Sequence, residues 1–163
     1  MAIADDNRDM KRRTLAALGV SAVVLGLPAT TVAHAAPPGA ACAPAVERAL
    51  SQAPDGAVVQ CTGGRWEVYP GPYPNSDRWL SDDDGLDLHG QGMRNPEMLS
   101  GPWTAIPQNP ATRCRAEQTA VVSAGEVGAP QVVEGQPGQP LHFEVLPVMF
   151  SIHLTGDCLW QAN

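Results

Sequence analysis

The chain has 163 residues and a formal net charge of −7, with 16 glycines and 16 prolines scattered through it without a repeat. An acidic surface repels nucleic acid and anionic lipid, so the composition predicts a protein that does not bind nucleic acid. Non-periodic proline and glycine exclude a collagen-like chain, and they disfavour long helices because proline costs about 3 kcal/mol inside one.

The first 35 residues show the three zones of a secretory signal peptide. A positive cluster at residues 11–13 precedes an uncharged apolar run at residues 15–27, and Ala33-His34-Ala35 forms an A-x-A cleavage motif. The apolar run is shorter than the roughly 20 residues needed to span a bilayer. The sequence therefore predicts a cleaved signal over residues 1–35, no stable membrane insertion, and one secreted domain over residues 36–163, in the medium or the cell envelope.

Several details of export stay open in the sequence. Met10 directly precedes the positive cluster and offers an alternative translation start. Arg12-Arg13 resembles a twin-arginine signal, which is the alternative to the ordinary secretory route. A lipid anchor on Cys42 is disfavoured, because Gly39 stands where a lipobox has leucine.

All four cysteines follow the predicted cleavage point, which favours two disulfides in an exported protein. Four cysteines allow three pairings, and we favour Cys42–Cys61 and Cys114–Cys158. A short helix folded back on the next strand would bring Cys42 near Cys61, and the second bond would link the first and last strands of the C-terminal part. The cysteine spacing excludes a zinc knuckle, so no metal or other cofactor is predicted.

The mature chain begins with one predicted short helix followed by a hairpin. Pro44 suits a first helical turn, and Val46, Ala49 and Leu50 would share one helix face. Residues 57–61 and 65–69 then read as strands, joined by a turn at Gly63-Gly64.

Residues 70–84 are a proline-rich loop that carries the predicted binding residues. Tyr73 and Trp79 lie within it, and exposed aromatics on a rigid loop are suited to contacting a sugar or a protein partner. The alternative is that these two rings, together with Trp66, Tyr69 and Trp103, cover the core of a small domain.

An acidic turn follows the proline-rich loop. Asp82, Asp84 and Asp87, grouped around Gly85, could supply the oxygen ligands that Ca²⁺ prefers, although their spacing does not fit an EF-hand. A solvated acidic turn is the alternative that we favour. We include the three carboxylates in the predicted binding surface.

The remaining chain reads as short strands separated by turns. A strand precedes Gly90, another spans residues 103–106, and further strands lie at residues 118–127, 132–134, 141–145, 150–154 and 158–160. The pattern predicts an all-β fold, an antiparallel sandwich or meander with one N-terminal helix and two disulfide bonds.

Two resemblances accompany this pattern. Val133 to Pro137, followed by Leu141 and Phe143, resembles the start of an early strand in immunoglobulin-like domains, which implies a sandwich rather than a barrel. The lysine-free mature part, rich in Ala, Gly and Pro behind such a signal, is similar to small, disulfide-linked secreted proteins of uncharacterised function in actinobacteria. That likeness implies no particular site residue.

The sequence contains no motif that indicates catalysis. His89, His142 and His153 lack a paired spacing, and no G-x-S-x-G elbow is present. We therefore expect a secreted, non-enzymatic, monomeric binding module whose partner is a protein or a glycan. The alternatives are a carbohydrate-active protein acting on cell-wall glycans, lectin-like or hydrolytic, and a structural component of the envelope.

Overall fold

A computed structural model describes residues 37–72, 74–92 and 94–163. The predicted signal peptide at residues 1–35 and the predicted binding residue Tyr73 lie outside the described residues. Within the described part, no helix is long and apolar enough to cross a membrane.

Short apolar runs separated by glycine and proline form strands, as the pattern predicted, and the mostly β fold is confirmed. The described residues form β1 (Leu50–Gln52), β2 (Val58–Thr62), β3 (Arg65–Val68), β4 (Arg78–Ser81), β5 (Leu86–His89), β6 (Gly101–Pro107), β7 (Arg115–Ser123), β8 (Glu126–Val127), β9 (Gln131–Glu134), β10 (Leu141–Val145), β11 (Met149–Thr155) and β12 (Cys158–Ala162).

The strands form two sheets. The first has the order β10-β6-β12-β4-β1-β2-β3, and the second has the order β5-β11-β7-β8, with β9 also pairing with β7. Strands that are distant in sequence lie side by side, so a simple meander is excluded. The fully antiparallel prediction is wrong at one pair, because β1 runs parallel to β4 with Leu50 opposite Trp79.

One hydrophobic core lies between the two sheets. The first sheet contributes Trp79, Trp103 and Trp160, and the second contributes Leu88 and Ile152 among others. Each indole N–H finds a hydrogen-bond acceptor: Glu97 O for Trp79, Leu99 O for Trp103 and the Ser81 hydroxyl for Trp160. The three largest side chains of this core are therefore buried without an unpaired donor.

A second, smaller core covers the opposite face of the first sheet. Val46, Cys61, Trp66, Leu80 and Leu159 are among its buried members. The central strands β4 and β12 are consequently buried on both faces. This explains why each carries consecutive apolar residues instead of the alternation of a strand with one wet face.

The predicted N-terminal helix is reduced to a single 3₁₀ turn over Pro44–Val46. Its extension to Leu50 is wrong, since Leu50 begins β1. Arg48 reverses the chain here with a positive φ of 67°, which ends helical geometry. Ala49, directly before β1, then enters the small core, and Leu50, the first residue of β1, enters the main core.

The predicted hairpin between β2 and β3 is confirmed. Thr62 lies opposite Arg65, and Gly63 and Gly64 between them both have positive φ, as the tight two-residue turn requires. The Glu47 carboxylate accepts hydrogen bonds from both glycine N–H groups, which fixes the turn against the N-terminal segment.

Both favoured cysteine pairings are confirmed. The Cys42–Cys61 bond holds the N-terminal segment on β2, with Cα atoms 6.0 Å apart. The Cys114–Cys158 bond joins the start of β7 to the start of β12, and so links the two sheets.

Candidate functional site

Trp79 is not available to a ligand. Its exposure was predicted from its place in the proline-rich segment, but the second half of that segment forms β4 and the Trp79 side chain is fully buried. Trp66 and Trp103 are buried as well. The core interpretation of these aromatics therefore applies to all three, and Trp79 is withdrawn as a binding residue.

The acidic turn closes on itself. The Asp82 carboxylate accepts hydrogen bonds from the backbone N–H groups of Asp84 and Gly85, both at 3.1 Å. Asp87 points elsewhere and meets the His153 ring, with its Oδ1 2.8 Å from Nδ1. The three predicted carboxylates do not form one set of ligand atoms.

Among the described residues, one group of three cysteine, histidine or acidic side chains brings its ligand atoms close together. It consists of Cys42, Glu47 and Cys61, and two of these three are joined in a disulfide. Disulfide sulfurs are poor ligands because metals bind the thiolate form. Among the described residues, the predicted carboxylates of Asp82, Asp84 and Asp87 are therefore not part of a group of side chains that could hold a metal ion.

His153 has a carboxylate partner in Asp87. The nearby hydroxyls of Ser151 and Thr119 hydrogen-bond to each other at 2.9 Å. These four side chains lie on the outer face of the second sheet, where Asp87 is 69 % exposed. In a catalytic arrangement, the nucleophile hydrogen-bonds to the base that activates it. The Ser151 hydroxyl instead hydrogen-bonds to the Thr119 hydroxyl.

A cleft of about 350 Å³ lies beside the first half of the proline-rich loop. We call it the Pro-loop cleft. Its polar lining consists of Arg48, Gln60, Asn75, Ser76 and Asp77. Its apolar lining consists of Leu50, Tyr69, Pro74 and Leu99.

Arg48 stands at the rim of the cleft in an unusual backbone conformation. Its φ of 67° is the one positive φ of a non-glycine residue in the described part of the chain. The Arg48 N–H donates to Cys61 O at 2.8 Å, and its carbonyl accepts from Gln60 Nε2 at 3.3 Å. The neighbouring Cys42–Cys61 bond and these two contacts hold the strained turn in place.

The cleft carries one positive and one negative side chain. Arg48 and Asp77 approach to 3.7 Å, with 72 % and 55 % of their side chains exposed. At that distance and exposure the pair contributes little to stability, so both groups keep most of their hydrogen-bonding capacity for other partners.

Tyr69 is the aromatic residue in the cleft lining; it is half-buried and also packs against the main core. Its ring lies directly against Gly71, where an added Cβ would come within 2.6 Å of the Tyr69 Cε1 atom. Because glycine at position 71 has no side chain, the loop backbone can pass directly against the Tyr69 ring. The Tyr69 backbone N–H is fixed on Val58 O at 2.9 Å.

The loop side of the cleft is tied to the core. The Ser76 hydroxyl bonds to both the N–H and the carbonyl of Arg78, and the Ser76 N–H donates to Glu97 O. Glu97 O also accepts the Trp79 indole, so the segment around Ser76 is fixed through buried contacts. The cleft is built largely on backbone that is already in place before a ligand arrives.

The sequence interpretation located this loop but missed most of the cleft residues. Arg48 belongs to the N-terminal turn and Gln60 to β2, and the parallel pairing of β1 with β4 brings them to the loop. Only the proline content of residues 70–74 marked the region in advance. Nothing in the sequence near Arg48 indicated a positive φ.

No match was found among protein families, among curated proteins or among solved structures.

Proposed function

We propose that the chain is an exported, non-enzymatic binding module that holds its ligand in the Pro-loop cleft. The observation that carries this proposal is the cleft itself, whose lining includes the solvated Arg48 and Asp77 and the half-buried Tyr69. Ligand sites are concave, mostly pre-formed and equipped with a few convergent polar groups, and this cleft has all three properties.

The strained Arg48 supports the assignment independently. A left-handed conformation costs a side-chain-bearing residue roughly 1–2 kcal/mol, and glycine would avoid that cost. Such outliers cluster at ligand sites, where the side chain is needed for a purpose other than folding. Ligand binding by the Arg48 guanidinium at the rim of the cleft is such a purpose.

Export remains part of the proposal and rests on the predicted signal peptide. Two disulfides within the described residues are compatible with an oxidising compartment. A ligand on the outside of the producing cell, in its envelope, is the simplest partner for such a protein. A purely structural envelope component would have no use for a cleft lined by charged groups.

The test measures retention of the fluorescently labelled, secreted protein on intact cells of the organism that produces it. We expect Arg48→Ala and Asn75→Ala each to lower retention by roughly tenfold, because each removes polar contacts from the cleft. Both side chains are exposed, so neither change should affect folding.

Arg113→Ala is the matched control. Arg113 is also an exposed arginine in a weak ion pair, with Glu134, but it lies beside Asp83, beyond the opposite end of β4 from Asp77. Its loss should leave retention unchanged. Equal retention of all three variants, or no retention of the wild type, would contradict the proposal.

A further inference from the structure

We infer that the ligand of the Pro-loop cleft is a neutral saccharide. This deepens the proposed function and rests on it. The alternatives are a charged small molecule and a protein segment, and the described residues argue against each.

The charge of the cleft favours a neutral ligand. Arg48 and Asp77 are the charged residues in the lining, and their guanidinium and carboxylate lie 3.7 Å apart. A ligand with a single charge would be attracted by one of them and repelled by the other at similar range. A neutral ligand meets no such conflict.

The hydrogen-bonding groups favour a polyhydroxyl ligand. Arg48 only donates, Asp77 only accepts, and the exposed Asn75 amide does both. Side by side, these groups suit a molecule whose adjacent groups each donate and accept, and the neighbouring hydroxyls of a sugar ring have that property. Hydrogen bonds to the two charged side chains are also stronger than neutral ones.

The apolar wall completes a sugar-binding arrangement. The Tyr69 ring has Gly71 packed against it, and Leu99 beside the cleft is 39 % exposed. A pyranose ring has a face of C–H groups as well as a rim of hydroxyls. That face can cover Tyr69 while the hydroxyls reach Arg48, Asn75 and Asp77.

The size of the cleft disfavours a protein partner. About 350 Å³ is near the lower limit for a small-molecule site, which is roughly 300 Å³. A specific protein interface buries more than about 1,000 Å² and usually presents exposed aromatic anchors. All four tryptophans are buried, and the exposed Phe150 lies on β11 in the second sheet and does not line the cleft.

The experiment uses the cell-retention assay with competing fractions. Polysaccharide released from the same cells by partial hydrolysis is separated by ion exchange into neutral, anionic and cationic oligosaccharides, and a protease digest of surface protein supplies peptides. We expect the neutral oligosaccharides alone to displace the wild-type protein.

Direct binding of the active neutral fraction is then measured by saturation-transfer NMR. Tyr69→Leu should weaken binding by roughly tenfold, whereas Tyr69→Phe, which keeps the ring, should stay within about threefold of the wild type. Urea unfolding of both variants identifies any loss that reflects folding rather than stacking. Arg113→Ala should bind as the wild type does.

Different experimental results would contradict the saccharide inference and the proposed function. Displacement only by charged oligosaccharides or by peptides, with retention still dependent on Arg48, would overturn the inference and leave the proposed function intact. Retention that does not depend on Arg48 or Asn75 would overturn both. Neutral-sugar binding that Tyr69→Leu does not weaken in a folded variant would overturn the placement of the sugar in this cleft.

Discussion

At the scale of single residues, Arg48 connects the backbone to the candidate site. Its positive φ turns the chain from the 3₁₀ turn into β1, and its side chain lies at the cleft rim. The backbone conformation favours glycine, whereas the proposed function requires the Arg48 guanidinium. These two roles can be separated by substitution.

We predict that Arg48→Gly is more stable than Arg48→Ala by about 1 kcal/mol, because glycine adopts positive φ without the steric penalty that alanine retains. Urea unfolding of the two variants checks this. Both variants lack the guanidinium, so both should lose cell retention equally. A glycine variant no more stable than the alanine variant would mean that the turn carries no strain.

The tryptophans show where residue-scale reasoning from sequence was insufficient. An indole in a proline-rich segment looks the same in sequence whether it is exposed or buried. The packing of the first sheet against the second buries Trp79, and Glu97 O accepts a hydrogen bond from its indole N–H. A loop was predicted at Trp79 because three prolines lie nearby, and the four-residue strand that follows them was too short to recognise.

At the scale of strands, each sheet has edges whose backbone groups need partners. Residues Gly39, Ala40 and Cys42 hydrogen-bond along β3 and cover that edge of the first sheet. At its other edge, the buried side chain of Gln118 reaches from β7 to β10. Its amide donates to Glu144 O at 2.8 Å and accepts from Leu146 N–H at 3.2 Å.

We predict that Gln118→Leu lowers the free energy of unfolding by about 1–3 kcal/mol, because the similar-sized apolar side chain leaves the Glu144 carbonyl and the Leu146 N–H, in part-buried contacts, without their partner. Urea unfolding measures the change. Gln136→Leu, at an exposed turn position, is the control and should change stability by less than about 0.5 kcal/mol. Equal effects of the two changes would show that the Gln118 contacts are not stabilising.

At the scale of the whole molecule, two covalent links join parts that are distant in sequence. The Cys42–Cys61 bond closes a separation of 19 residues and the Cys114–Cys158 bond one of 44. A disulfide that closes a longer loop lowers the entropy of the unfolded chain by a larger amount.

We predict that replacing the Cys114–Cys158 pair by alanines costs about 4 kcal/mol, compared with about 3 kcal/mol for the Cys42–Cys61 pair. Urea unfolding of the two double variants provides the comparison. We expect the larger loss of stability when the Cys114–Cys158 bond, which also joins the two sheets, is removed. The reverse order would indicate that anchoring the N-terminal segment contributes more than linking the sheets.

The export prediction is tested by intact mass of the protein recovered from the medium. Residues 36–163 less four hydrogens should be found before reduction, and four alkylated thiols after reduction. An uncleaved chain, a lipid adduct on Cys42 or free thiols before reduction would contradict the predicted signal peptide or the oxidised state.

Local features of the sequence were sufficient for the β class, the presence of two disulfides and the Gly63-Gly64 hairpin. Turn residues and alternation over a few positions predict the strands and the hairpin, and an even cysteine count behind a predicted export signal predicts the disulfides. The favoured pairing of Cys42 with Cys61 is confirmed, although the helix from which it was argued is only a 3₁₀ turn. The N-terminal helix was mispredicted because the spacing of Val46, Ala49 and Leu50 fits one helix face. In the structure, these residues instead enter two different cores.

The sequence by itself determined that this is a turn-rich β protein with two disulfides, behind a predicted export signal. Only the tertiary structure decided which residues line the candidate site. The parallel pairing of β1 with β4 places Arg48 and Gln60 beside the loop that carries Asn75 and Asp77, and the packing of the two sheets against each other buries Trp79. Strand order is a property of the packed whole, because it depends on which sheet faces can be covered together, and no local pattern encodes it.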